Sequence, residues 1–138
     1  IAHMPGLSIR MLSIGVGLSH AATVRLVDRL AAEGLVERRE HFTDGRTRSL
    51  YLTAAGKVAS DEVLSSRDEV IAEGLSILSP DELRVLCDIA ERVLRHRLVN
   101  LEHSYRICRL CCYEGCTNCP IDAELHERGV DRENSGEA

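Results

Sequence analysis

Between residues 19 and 56, helix-start, helix-stop, strand and hairpin signals follow one another in an order that few folds use. Ser19 suits a helix N-cap, because its hydroxyl can accept from an amide one turn ahead. Thr23, Leu26, Val27 and Leu30 then recur at the spacing of one helix face, and Gly34 stops the helix. Residues 35–40 and 48–52 read as strands; in the second, Leu50 and Leu52 share one face, Ser49 and Tyr51 the other. Thr43-Asp44-Gly45-Arg46 between them is a hairpin signal. Ahead of Ser19, residues 8–15 form a short apolar segment with Ile9, Leu12 and Ile14, ending in Gly15-Val-Gly17, a turn signal. Two short helices joined by a glycine turn and followed by a hairpin make a winged helix. The expected fold class is therefore mostly α (α+β): a winged helix-turn-helix with a β-hairpin wing and long C-terminal helices.

Those later helices carry their own signals. Thr53 opens a helix expected to reach about Leu78. Ser79-Pro80-Asp81-Glu82 combines a capping serine, a proline at the first helical position and a glutamate that completes a capping box. The helix after it carries Leu83, Leu86, Ala90, Val93, Leu94, Leu98 and Leu101 as one continuous apolar stripe. Cys87 on this helix reads as a small core residue. A winged helix is too small to bury two such helices, so they are expected to form a dimer interface.

Three runs of residues carry a family resemblance: Leu18-Ser-His-Ala-Ala-Thr-Val-Arg-Leu-Val-Asp-Arg-Leu30, Gly34-Leu-Val-Glu-Arg-Arg39, and Asp44-Gly-Arg46 followed by Leu52-Thr-Ala-Ala-Gly56. Together they resemble the recognition helix, the strand after it, and the wing of MarR-family regulators, over roughly residues 5–100. The resemblance implies a homodimer of winged helix-turn-helix subunits that represses transcription and releases DNA in response to a small molecule, an oxidant or a metal. The domains expected on that basis are a DNA-binding domain (1–56), a helical dimerisation region (57–106), a cysteine cluster (107–122) and an acidic mobile tail (123–138). The chain starts at Ile1, in mid-pattern, and an N-terminal part of the first domain is expected to precede it.

Charge distribution modifies what the net charge of −5 says about nucleic acid. Residues 19–48 hold six Arg against five acids, and residues 120–138 hold two Arg against six acids, so a local basic patch survives on an acidic chain. A recognition helix presents its N-terminal residues to base edges in the major groove. Here these are Ser19, His20, Ala21, Ala22 and Arg25, with Arg25 suited to bidentate contact with a guanine. Arg46 at the wing would enter the minor groove, oriented by Asp44 two residues away, while Arg38, Arg39 and Arg48 would meet phosphates. The implied partners are a pseudo-palindromic double-stranded operator, a second copy of the chain and a small-molecule effector. No run of about eighteen uncharged apolar residues suggests a membrane span, and a cytoplasmic location is expected. Neither a Ser/His/Asp order, nor a phosphate-cradling glycine loop, nor a His-Glu metal motif argues for an enzyme.

Near the C-terminus five cysteines fall within twelve residues: Cys108, Cys111, Cys112, Cys116 and Cys119. Leaving Cys112 aside, the spacing is two Cys-x2-Cys pairs separated by four residues and followed by Pro120. That pattern suits a metal held by Cys108, Cys111, Cys116 and Cys119, with Cys112 as a substitute ligand or resolving thiol. The cofactor would be zinc or an iron–sulfur cluster; a reversible disulfide is the competing chemistry. His103 and His126 stand in reserve as ligands. If these thiols sense a signal, the expected route to DNA is the dimer helix that they are expected to continue directly. The alternative is a regulator responding to a small molecule in a pocket between the winged helix and the dimer helices, its cysteines holding a purely structural zinc.

Overall fold

The computed structural model describes residues 1–40, 48–111 and 118–130. The elements run α1 (Ile9–Val16), α2 (His20–Ala32), β1 (Val36–Glu40), β2 (Arg48–Leu52), α3 (Ala54–Leu75), α4 (Pro80–Arg97), α5 (Leu101–Ile107), a 3-10 turn (Cys108–Leu110) and α6 (Pro120–Glu127). The capping residues explain most of the boundaries. The hydroxyls of Ser8, Ser19, Thr53 and Ser79 accept from the amides of Met11, Ala22, Gly56 and Glu82, each satisfying one donor at the start of a helix. Gly17 ends α1 at φ 70°, and Gly34 turns the chain out of α2 at φ 72°, where a side chain would be strained.

β1 and β2 pair antiparallel from Val36↔Leu52 to Glu40↔Arg48. The far edge of β2 meets the N-terminal segment: Gly6 donates to the Leu50 carbonyl at 2.8 Å, and Leu50 donates to that of Leu7 at 3.0 Å. Val27, Val36 and Leu50 form the centre of the winged-helix core, with Ile9, Leu12 and Leu30 packed on it. Ser49 is buried too, against the simple alternation read from the sequence.

The Leu52-Thr-Ala-Ala-Gly56 run has a physical role in this packing. The Thr53 hydroxyl donates to the Gly34 carbonyl at 2.6 Å and accepts from the Gly56 amide at 3.0 Å. The Thr53 amide donates to the Leu35 carbonyl at 3.1 Å. A Cβ on Gly56 would lie 1.9 Å from that same Leu35 oxygen, so only glycine lets α3 start this close to the end of α2.

Three expectations are corrected. The stripe from Leu83 to Leu101 is not one helix. α4 ends at Arg97, Leu98 is extended at ψ 116°, and Asn100 caps α5 by accepting from the His103 amide at 2.9 Å. Arg128 holds the break by donating to the Leu98 carbonyl at 2.9 Å. α5 therefore leaves the expected dimerisation region and lies along α1. Gly15 gives it room, since a Cβ there would be 3.3 Å from the Tyr105 carbonyl, and Arg106 donates to the Ile14 carbonyl at 3.0 Å. The cysteines thus follow a helix packed on the helix-turn-helix, not the helix assigned to the dimer. Second, the segment expected to be a mobile tail from 123 onward begins inside α6, which buries Ile121 and Leu125. Pro120 starts α6 and Gly129 turns the chain after it. Third, Cys87 is exposed rather than in a core.

α4 buries none of its residues within the chain. Val63, Val70 and Ile71 of α3 and Val85, Ile89 and Val93 of α4 are all exposed. Among the described residues no helix is long and apolar enough to cross a membrane.

Candidate nucleic-acid interface

α2 is fixed by one face and free on the other. Thr23 and Val27 are fully buried, and the Thr23 hydroxyl donates back to the Ser19 carbonyl at 3.0 Å, so a polar residue sits in the core without an unmet donor. Ser19, His20, Ala21, Arg25, Asp28 and Arg29 are exposed, and Ala22 is half-buried. Ala21, Arg25 and Asp28 follow one another at helical spacing, so the exposed residues form one stripe. Arg25 makes no ion pair among the described residues, which leaves its guanidinium available.

Asp28 is the one acidic residue on this exposed stripe. Arg38 of β1 neutralises it, with 2.6 Å between Arg38 Nη2 and the carboxylate. Arg38, expected to touch phosphate, also braces the wing against α2 through this pair. Arg39 pairs with Glu37 and lies over the Tyr51 ring at 4.5 Å from its centroid. Arg48 is exposed at the start of β2, opposite Glu40. Asp44 and Arg46 lie outside the described residues. The sequence reading missed both the Arg38–Asp28 brace and the α5 residues that support α1. The brace has no sequence signal, because its partners meet only after the chain has turned; for α5, Gly15 inside a short helix was a readable sign of close approach.

The family model of the MarR family matches residues 1–47 of this chain. Over these residues the chain is similar to the MarR family. The HTH-type transcriptional regulator BilQ of Clostridium symbiosum is 30% identical over 93 residues, which cover 67% of this chain and 65% of that protein. The transcriptional repressor MdtR of Bacillus subtilis is 33% identical over 63 residues, 46% of this chain and 41% of that one. The chain thus spans less than two thirds of the length of either relative. Among solved structures, wild-type MarR from E. coli in its apo form superposes with a TM-score of 0.54 at 25% identity, over 64% of this chain and 65% of that one. The MarR-family winged helix is therefore the frame in which α2 and the wing are to be read.

The C-terminal cysteines lie apart from this MarR-type surface. Cys108 is 4% exposed, at the centre of a second apolar cluster with Leu98, Ile121 and Leu125, and Cys111 and Cys119 pack against it. Cys112 and Cys116 lie outside the described residues. Among the described residues no three His, Cys, Asp or Glu side chains already converge as a finished metal site. Burial pushes the Cys119 thiol up, partly offset by hydrogen bonds from the amides of Asp122 and Ile121. His103 accepts from the Val99 amide at 3.3 Å, and His126 is exposed. A separate cleft of about 630 Å³ opens between β2 and the start of α3, with Tyr51, Lys57, Asp61, Leu64 and Cys111 on its walls.

Proposed function

We propose that this chain is the DNA-reading part of a homodimeric transcriptional repressor, with α2 in the major groove and the wing over the adjacent minor groove. The observation that carries the reading is the exposed stripe of α2: Ser19, His20, Ala21 and Arg25 face outward, Arg25 makes no ion pair among the described residues, and Asp28 has its charge neutralised by Arg38. Repression follows from occupying the operator, and one relative bears the name of a repressor. Dimerisation is supported by the apolar faces of α3 and α4, too extensive for a stable monomer to leave in water. A two-fold dimer then reads two half-sites about one turn of DNA apart.

The test is selection of a binding site from random duplexes, followed by fluorescence anisotropy on the selected and scrambled sequences. Arg25→Ala is expected to cost about 1–3 kcal/mol on the selected site and to relax the preference at one base pair. Arg46→Ala is expected to weaken both duplexes alike, as loss of a contact without base information does. Equal losses on both duplexes for both variants would refute this division of labour. The cleft beside Tyr51 and Lys57 favours an effector of small-molecule type as a second element of the reading. Its test is release of the selected duplex by candidate ligands, an effect that Lys57→Ala would abolish.

A further inference from the structure

The single acid on the exposed stripe of α2 is paired with an arginine from another element. Val27 of α2 and Val36 of β1 meet in the winged-helix core. Alternation along β1 puts Arg38 on the same side as Val36, and Asp28 directly follows Val27, so the two charges close the rim of that apolar contact. Arg38 Nη2 lies 2.6 Å from the Asp28 carboxylate, with Arg38 26% and Asp28 54% exposed. A pair this open to water adds little to stability, so the fold alone does not account for it.

Its position does. Ala21, Arg25 and Asp28 share one exposed line along α2. Among the described residues Asp28 pairs across to Arg38 and not with Arg25, one turn back on its own helix. Duplex DNA carries one phosphate charge about every 1.7 Å, and each protein cation that neutralises a phosphate releases a counterion. Arg38 by itself would add one such contact. Arg38 beside Asp28 presents no net charge.

Taking α2 as the helix that faces DNA, the reading on which this inference rests, we propose that Asp28 sets the affinity of the surface. Its carboxylate cancels the charge of Arg38, so each subunit engages the duplex with one phosphate contact fewer than its arginines allow. The restraint is independent of sequence, because phosphates carry no base information. It lowers the hold on DNA of any sequence and leaves discrimination to Arg25 and the exposed residues at the start of α2. The pair also spans wing and helix, and a purely mechanical role predicts the opposite sign. Loss of a brace weakens binding, whereas loss of a charge restraint strengthens it.

The experiment measures binding of the full chain to a selected and a scrambled duplex by fluorescence anisotropy, from about 50 to 200 mM salt. Asp28→Asn is expected to tighten both duplexes by on the order of tenfold per subunit at about 0.1 M salt, and to steepen the fall of log K with log salt by about 0.9 per subunit. Asp28→Ala should do the same, so the result does not depend on the folding of one variant. Arg38→Gln leaves the carboxylate uncompensated and should weaken both duplexes with a shallower slope. The double variant Asp28→Asn/Arg38→Gln should fall between the two single ones. Asp28→Asn and Asp28→Ala proteins that bind no tighter than the parent overturn the proposal, and weakening at an unchanged slope would mean that the pair only sets the angle of the wing. A loss confined to the selected duplex overturns it as well and makes Asp28 a reader of a base edge, as a carboxylate accepting from cytosine is. A parent chain that binds neither duplex overturns the DNA reading itself, and the proposal with it.

Discussion

Two glycines of α3 should respond to the same substitution with opposite signs. At Gly56 an added Cβ would stand 1.9 Å from the Leu35 carbonyl oxygen and 2.8 Å from its carbon. Both are backbone atoms, so no side chain can swing away. Relief requires α3 to retreat by more than an ångström, which strains the 2.6 Å bond from Thr53 to the Gly34 carbonyl and the 3.1 Å bond from Thr53 to the Leu35 carbonyl. Each bond contributes about 1 kcal/mol, and overpacking of this kind costs about 1–3 kcal/mol. Against that stands a helix-propensity gain of up to about 1 kcal/mol for alanine. The net expectation for Gly56→Ala is a loss of roughly 2–4 kcal/mol. Gly74, near the other end of the helix, has nothing within 4 Å of its would-be Cβ and an ordinary helical φ. Gly74→Ala keeps only the propensity term and should gain about 0.4–1 kcal/mol. Urea unfolding followed by circular dichroism, at one protein concentration for all variants, measures both. A Gly56→Ala protein as stable as the parent would refute the lock between α2 and α3. A Gly74→Ala protein destabilised as much as Gly56→Ala would show that the loss comes from something other than the Leu35 contact.

Ile89→Asp places a charge in the exposed apolar face of α4 and should weaken self-association by at least about 30-fold, or about 2 kcal/mol, by sedimentation equilibrium. A parent chain that is already monomeric at micromolar concentration would remove the basis of that expectation. The Glu82 carboxylate accepts from the Ser79 amide and hydroxyl, both at 2.8 Å, and these bonds hold its pKa below the usual carboxylate value. A lowered folded pKa means that the stabilisation is present at neutral pH and fades as pH falls through that lowered value. The stability difference between the parent and Glu82→Gln should therefore shrink toward zero in acid; a difference that grows on acidification would contradict the capping box.

What could be read in the sequence was what is decided within about four residues. Ser19, Thr53 and Ser79 cap their helices as read, because a cap depends on a hydroxyl and an amide one turn away. The two strands and the turn between them were legible, although Ser49 is buried against the alternation, and Gly34 ended α2 because its φ is positive. The break after α4 was obscured by Leu98 and Leu101, which keep a helical i, i+3 spacing across a gap that is not helical; Asn100 was the overlooked signal, a capping residue inside an apolar stripe. α6 was obscured by its acidic composition, although Pro120 followed by Ile121 and Leu125 at i, i+4 was enough to suggest one turn of buried helix. The roles of Arg38 and Arg106 could not be read at all. Each acts on a residue of another element, Asp28 and the Ile14 carbonyl, and no local pattern encodes that meeting.

The place of α5 changes what a signal at the cysteines would act on. A helix continuing α4 would pass strain to the spacing between two protomers. α5 instead runs from Asn100 along α1, with Arg106 on the Ile14 carbonyl and Cys108 beginning the very next turn. Only Ile107 separates the thiol at the heart of the C-terminal cluster from the side chain that braces the first helix of the helix-turn-helix. Arg67 of α3 also donates to the Leu110 carbonyl, so the 3-10 turn touches the long helix as well. Packed elements pass on displacement more readily than they absorb it, because interiors at crystal-like density leave little free volume. A displacement of residues 108–111 would therefore meet α1 first, through Arg106 and the Ile14 carbonyl, and the Gly17 turn that leads into α2 next, all within this one chain.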